Sequence, residues 1–158
     1  MNPHIAIVDA SIGDTPAERN LTREIDAETR VYKASEGERP PAPEQRDRAY
    51  DAVVISGSQT SVYDDHDWIH ELASWVRRLQ RADVPMLGIC GGHRLLAQAF
   101  GGRIVGMGAC EIGYRSIERR GGDPLFAGID SPVIAFETQS DRVAELPAGA
   151  VELARNEY

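Results

Sequence analysis

Short apolar runs and helically spaced apolar residues alternate over the first hundred positions of the chain. Most of the short runs are continuous rather than alternating, which is typical of strands buried on both faces of a parallel sheet. Four strands are predicted in this way, over residues 5–8, 29–34, 51–56 and 86–89.

Helices are predicted after the first, third and fourth of these strands. The segment Thr15-Pro16-Ala17-Glu18 has a hydroxyl at the N-cap, Pro at the first helical position and Glu at the third, a capping box that predicts a helix over residues 16–27. A second helix is indicated by apolar residues at helical spacing, which place one apolar face toward the core: Ile69, Leu72, Ala73, Val76 and Leu79. A third helix is predicted directly after Gly92.

This alternation predicts an α/β fold with a doubly wound, mainly parallel sheet flanked by helices. The 158 residues suit one domain with a single substantial core. Residues 35–48 are charged and contain three prolines, so we expect an exposed connection there. After residue 103 we expect short strands joined by turns, at residues 104–105, 114–117, 133–136 and 151–154, with a short helix beginning at 123–126.

The composition narrows the class of protein. Its 25 acidic and 17 basic residues give a net charge of -8, which argues against a nucleic-acid partner because the field would repel phosphates. No apolar stretch is long enough to span a bilayer, so we expect no membrane partner. Two cysteines, Cys90 and Cys110, do not suggest a disulfide framework, and a reduced, cytoplasmic location is expected.

The segment Gly88-Ile89-Cys90-Gly91-Gly92 joins the fourth strand to the third helix and has the form of a nucleophile elbow. Small neighbours allow the strained turn that lifts a nucleophile above the sheet. The N-terminus of the helix favours a thiolate, and the Gly91 amide can donate to an oxyanion. The alternative is a buried core cysteine followed by an ordinary turn.

Three segments resemble class I glutamine amidotransferase domains. Residues 88–102, GICGGHRLLAQAFGG, are similar to the family's Gly-x-Cys-x-Gly-His-Gln segment with its helix and Gly-Gly. Residues 55–64 are similar to its Ser-Gly-Gly-Pro-x-Ser loop, and residues 111–114 to the Glu-Leu-Gly-Trp strand of GMP-synthetase-like members. The resemblance implies a flavodoxin-like fold and Cys-dependent hydrolysis of glutamine to glutamate and ammonia through a thioester, for transfer to a partner synthetase subunit, with no cofactor or metal.

The resemblance also implies roles for individual residues. Cys90 is the expected nucleophile, and the amides of Gly91 and Ser58 form the expected oxyanion hole, although the family usually has Gly at the position of Ser58. The remaining expected substrate-binding residues are Gly57, Gly92, Arg94, Ser140 and Asp141. A plain strand-end turn is the alternative for residues 57–58, and a helix N-cap or turn for Asp141.

Besides Ser58, the chain departs from the family pattern in three places. Arg94 replaces the family's Gln, and residues 138–141 keep the frame of its Ser-His-Gly-Asp segment without the His. The family's catalytic His-x-Glu is not found, since none of His4, His66, His70 and His93 lies in that motif, and His93 resembles a supporting residue of the elbow helix.

Three hypotheses therefore stand. The chain is a glutaminase domain that is incomplete at its C-terminal end, a catalytically weak binding or regulatory module of the same fold, or a hydrolase of another γ-glutamyl amide. For residues 1–158 we expect a reactive Cys90 without efficient catalysis.

Overall fold

A computed structural model describes residues 2–14, 17–45 and 49–157. The chain divides into two compact units, Met1–Phe100 and Gly101–Tyr158. The described part of the first unit contains four strands, three α-helices and a 3-10 turn, Ala34–Glu36. The strands and α-helices are β1 (His4–Asp9), α1 (Ala17–Glu24), β2 (Glu28–Lys33), β3 (Ala52–Ile55), α2 (Asp67–Arg81), β4 (Met86–Gly88) and α3 (Gly91–Ala99).

The strands of the first unit form one parallel sheet in the order β2-β1-β3-β4. This order and the intervening helices confirm the predicted α/β architecture and are those of a flavodoxin-like sheet. Val8 pairs with Ile55, and Ile55 with Gly88, so the carboxyl ends of β1, β3 and β4 lie at one edge. Residues 57–58 and Cys90, which follow β3 and β4, therefore lie at the same edge of the sheet.

The apolar runs of the sequence form the buried core of the first unit. The last four residues of β1 and the last three of β3 are buried. Helix α2 buries one face and has Asp67 in its first turn and Arg78 and Arg81 in its last, as the helix dipole favours. The buried face consists of Ile69, Leu72, Trp75, Val76 and Leu79.

Two predictions for the first unit need comment. Helix α1 ends at Glu24 rather than residue 27, and the predicted cap at Thr15 and Pro16 lies outside the described residues. The expectation of an exposed connection after β2 is wrong in part, because Pro40 and Pro43 are buried. The hydroxyl of Tyr50 donates to the carbonyl of Pro41 at 2.8 Å, which ties this segment to the rest of the unit.

The second unit is an antiparallel sheet in the order β6-β5-β7, formed by β5 (Arg103–Arg119), β6 (Val133–Glu145) and β7 (Ala154–Arg155). The separate strands predicted over 104–105 and 114–117 are wrong, since both belong to β5. An irregularity in the pairing between Gly106 and Glu111 lets this strand continue past its glycines. The strand predicted over 151–154 is also wrong for most of its length, because β7 begins only at Ala154.

The short helix predicted at residues 123–126 is confirmed as a 3-10 turn, Pro124–Phe126. The Asp123 carboxylate accepts a hydrogen bond from the Leu125 N–H at 2.9 Å. Within the described ranges, none of the helices combines the length and apolar character that crossing a membrane requires.

Candidate active site

Cys90 lies between the end of β4 and the first residue of α3. Its backbone has φ 53° and ψ -107°, a left-handed conformation that costs free energy for a residue with a side chain. The residue is exposed and its thiol is free. The sequence prediction of a strained elbow that displays a nucleophile is thus matched by the geometry, and the alternative of a buried core cysteine is wrong.

Glycines on both sides of Cys90 allow this turn. A Cβ on Gly88 would lie 2.5 Å from the Gly92 carbonyl oxygen, which is far inside van der Waals contact. The Gly92 N–H in turn donates to the carbonyls of Ser56 at 3.0 Å and Ile89 at 2.9 Å. The start of α3 is therefore held directly against the ends of β3 and β4, where larger residues do not fit.

The backbone amides of Gly91 and Ser58 lie side by side next to the nucleophile. A Cβ on Gly91 would be 2.7 Å from the Ser58 nitrogen. Neither N–H donates to an acceptor within the described part of the chain. Gly57 adjoins the same point, since a Cβ there would lie 3.3 Å from Cys90 Cβ and 3.7 Å from Sγ. The backbones of Gly57, Ser58 and Gly91 therefore lie close together beside Cys90.

Arg94 contacts the nucleophile directly. Its Nη1 donates to Cys90 Sγ at 3.5 Å from one turn further along α3, and the residue is 8% exposed. None of the four histidines hydrogen-bonds to this sulfur. For His93, desolvation and the positive charge of Arg94 lower the pKa below its ordinary 6.5. His93 is therefore uncharged at neutral pH and is not paired with Cys90.

The loop that contains Ser58 is tied to the loop after β1 by Gln59. The Gln59 side-chain oxygen accepts from the Ile12 N–H at 2.9 Å, and its nitrogen donates to the Ile12 carbonyl at 3.3 Å. The Ser58 hydroxyl is also 2.7 Å from that of Thr60. These bonds fix the backbone on both sides of the Ser58 amide.

A buried polar cluster lies at the carboxyl ends of β1, β2 and β3. Asp9 bonds to Lys33 Nζ at 2.9 Å and to the Ser11 hydroxyl at 2.5 Å, and Lys33 Nζ also donates to Ser11 Oγ at 2.8 Å. Ser56 Oγ accepts from the Ala10 N–H at 2.9 Å. Desolvation raises the pKa of Asp9, but hydrogen bonds from Ser11 and Lys33 outweigh it and hold that pKa below its ordinary value.

The comparison with protein families settles the family of this chain. The family model of class-I glutamine amidotransferases matches residues 7–158. The chain belongs to this family. A crystal structure of a glutamine amidotransferase from Thermotoga maritima superposes with a TM-score of 0.83 at 19% identity, over 99% of this chain and 68% of that one. The superposition confirms the fold of a class I amidotransferase.

Two relatives match this chain at a higher sequence identity than the Thermotoga maritima structure does. A glutamine-hydrolysing GMP synthase from Thermomicrobium roseum is 36% identical over 104 residues, which cover 66% of this amidotransferase-family chain and 19% of the synthase. Gamma-glutamyl peptidase 5 from Arabidopsis thaliana is 33% identical over 132 residues, or 78% of this chain and 51% of the peptidase. The match thus spans about a fifth of one relative's length and about half of the other's.

The two amidotransferase-like segments of the second unit lie on paired strands. Glu111 on β5 is buried and accepts from Gln139 Nε2 at 2.8 Å and from Arg115 Nε at 2.6 Å. Hydrogen bonds from Gln139 and Arg115 outweigh desolvation and hold the pKa of Glu111 below its ordinary range. Gln139, which stands where the resemblance puts the family's His, is therefore a hydrogen-bond partner of Glu111 in the other segment.

Ser140 and Asp141 also lie on β6. Asp141 is buried and pairs with Gly106 of β5, so the alternative of a helix N-cap or turn is wrong because the long hairpin places this residue inside a strand. The structure brings six of the predicted site residues together in the first unit, namely Gly57, Ser58, Cys90, Gly91, Gly92 and Arg94. The substrate-binding role of Ser140 and Asp141 remains a prediction.

Sequence reasoning missed the residues that support the oxyanion loop. Gln59 was passed over because its partner is a backbone group 47 positions away. Asp9 and Lys33 could have been found, since Asp9 directly follows one predicted strand, Lys33 lies near the end of another, and Lys33 is the only lysine in the sequence. Polar residues at the carboxyl ends of neighbouring parallel strands are expected to meet.

Proposed function

We propose that this chain is a glutaminase module of the class I amidotransferase family with Cys90 as its nucleophile. The thiolate attacks the side-chain amide carbon of glutamine, and the Gly91 and Ser58 amides bind the oxyanion. The amide nitrogen must take up a proton to leave as ammonia, and water then hydrolyses the thioester to glutamate. Because no histidine among the described residues hydrogen-bonds to Cys90, we expect these later steps to be slow in residues 1–158. The observation that carries this proposal is the exposed Cys90 at φ 53°, beside two backbone amides available as donors.

The other predicted residues shape the site in this proposal. Gly57 leaves the space beside the sulfur open, Gly92 lets the start of α3 lie against the end of β3, and Arg94 offers a positive charge next to the sulfur. Ser140 and Asp141 keep the substrate-binding role that the resemblance gives them. The reaction requires no cofactor.

We propose further that the ammonia is used by a separate synthetase subunit in the cytoplasm. The matching GMP synthase is glutamine-hydrolysing, and 19% of its length corresponds to the matched stretch of this chain. The two free thiols support a reducing compartment.

The proposal is tested by labelling the chain with a glutamine-like diazo-ketone and mapping the adduct by mass spectrometry. Cys110 is a matched internal control, because it is also a free and exposed thiol. We expect an adduct on Cys90 that excess glutamine suppresses, whereas iodoacetamide reacts with both cysteines. Diazo-ketone labelling of Cys110 with none on Cys90 would overturn the assignment.

A second candidate is hydrolysis of a γ-glutamyl amide other than glutamine. Two features favour it: the match to gamma-glutamyl peptidase 5 covers 78% of this chain, and Arg94 places a positive charge beside Cys90 that would attract a second carboxylate on the substrate. Protection of Cys90 from the diazo-ketone distinguishes the two substrates. Stronger protection by a γ-glutamyl peptide than by glutamine favours the peptide-cleaving activity, and protection by neither favours the non-catalytic module.

A further inference from the structure

We propose that Arg94 is the counter-ion of the Cys90 thiolate, and that this ion pair attacks acyl donors whose leaving group departs as an anion. The inference rests on the proposed role of Cys90 as nucleophile. It goes further by naming the residue that stabilises the charge on the nucleophile and the class of acyl donor that this nucleophile attacks.

The geometry supplies the first step. Nη1 of Arg94 points at Cys90 Sγ from 3.5 Å, and Arg94 is 8% exposed, so water has little access to the guanidinium. A hydrogen bond from a cation to sulfur is strongest when the sulfur is an anion. Cys90 is the N-cap of α3 and Arg94 is the fourth residue of that helix, whose N-terminus also favours a negative charge. The Arg94 guanidinium and the start of α3 are therefore both placed to stabilise a negative charge on this sulfur.

The second step concerns the proton that an amide requires. When a thiolate attacks an amide, the nitrogen must gain a proton as the C–N bond breaks. A guanidinium does not give up its proton in proteins, so Arg94 stabilises the thiolate without acting as an acid. No histidine hydrogen-bonds to Cys90 to take that part. Amide substrates are therefore poorly matched to this ion pair.

An ester or thioester avoids the difficulty. The sulfur forms a bond to the acyl carbon, the bond from that carbon to the leaving oxygen or sulfur breaks, and the electron pair departs with the leaving group. No proton is transferred and nothing is oxidised or reduced. The Gly91 and Ser58 amides serve the tetrahedral oxyanion as they would for glutamine. The product is an acylated Cys90, formed once per chain unless water hydrolyses it.

The experiment compares two donors with the same acyl group, the p-nitrophenyl ester and the p-nitroanilide of the glutamate γ-carboxyl. We expect a burst of about one p-nitrophenolate per chain from the ester, and no burst from the anilide, whose nitrogen must be protonated to leave. Cys90→Ala should remove the burst although it retains Cys110. Mass spectrometry should locate the acyl group on Cys90.

Arg94→Gln is the decisive variant, and Gln is the residue that the family has at this position. Loss of one hydrogen bond to a charged group should slow the burst roughly tenfold. Arg94→Lys keeps the charge and should restore part of the rate. Arg81→Gln, the same change at an exposed position on α2, should leave the rate unchanged. Circular dichroism checks that each variant is folded.

The outcomes separate the inference from the proposal on which it rests. An unchanged burst rate in folded Arg94→Gln, or an equal burst from the anilide, overturns the counter-ion role and leaves Cys90 as the nucleophile. A burst that persists in Cys90→Ala overturns the proposed function itself. If Arg94→Gln does not fold, Arg94→Lys decides: a rate equal to background in the folded Lys variant contradicts a role that depends on charge.

Discussion

Gly92 and Ile55 approach so closely that a Cβ on Gly92 would lie 2.4 Å from the carbonyl oxygen of Ile55. The obstructing atom is backbone of a buried strand and cannot move aside. We therefore expect Gly92→Ala to lower the free energy of unfolding by about 1–3 kcal/mol, the usual cost of overpacking. Urea unfolding followed by circular dichroism measures this change.

Gly122→Ala is the matched control for that substitution. A Cβ at Gly122 meets nothing within 4 Å, and its φ lies outside the left-handed region. This variant should be about as stable as the original chain. Equal unfolding midpoints for the two variants would show that the elbow tolerates a side chain and that its packing is looser than described.

The contact between Gln59 and Ile12 leads to a prediction about catalysis. Gln59→Ala removes two hydrogen bonds that hold the Ser58 loop. Loss of an oxyanion donor costs about 10²–10³-fold, so displacement of one should slow ester acylation of Cys90 by about tenfold. Alkylation by iodoacetamide forms no oxyanion and should continue at the original rate. Gln98→Ala, at an exposed position on α3, should change neither rate. Equal slowing of both reactions by Gln59→Ala would instead indicate general unfolding.

The local sequence pattern predicts part of this structure, whereas other parts depend on contacts between distant residues. The buried strands β1 and β3 and the elbow at Cys90 were predictable because short apolar runs and small residues at fixed spacing act within a few positions. Strand β5 was predicted as two pieces because its glycines resemble breaks. Its pairing with β6 across the chain decides its length. The bond from Gln59 to Ile12 likewise depends on the folded sheet and leaves no signal in either segment.

The buried carboxylate of Asp9 predicts a pH dependence of stability. Its folded pKa lies below its ordinary 3.8, so at intermediate pH the unfolded chain binds more protons than the folded one. The contribution to stability is therefore complete above the ordinary pKa and is lost as pH falls through the lower, folded pKa. Asp9→Asn should cost about 1.5–3 kcal/mol at pH 7, because hydrogen bonds to a charged group are lost.

Unfolding measured from pH 7 to pH 2 tests this linkage. The difference between Asp9→Asn and the original chain should shrink as the pH falls below 3.8. Asp14→Asn serves as the control, since Asp14 is exposed. A difference that stays constant down to pH 2 would mean that ionisation of Asp9 does not stabilise the fold.

The last prediction concerns glutaminase activity of residues 1–158. Cys90 has its oxyanion donors and the Arg94 contact, but it does not hydrogen-bond to a histidine. A general base and acid typically contributes about 10²–10⁴-fold, and a nucleophile without one loses most of its advantage because such groups act as a unit. We expect ammonia release from glutamine to be close to that of Cys90→Ala, while Cys90 still reacts with the diazo-ketone. A robust ammonia release that depends on Cys90 would reveal a base. His93 would then be the first residue to replace, because its neutral imidazole lies three positions along from the nucleophile.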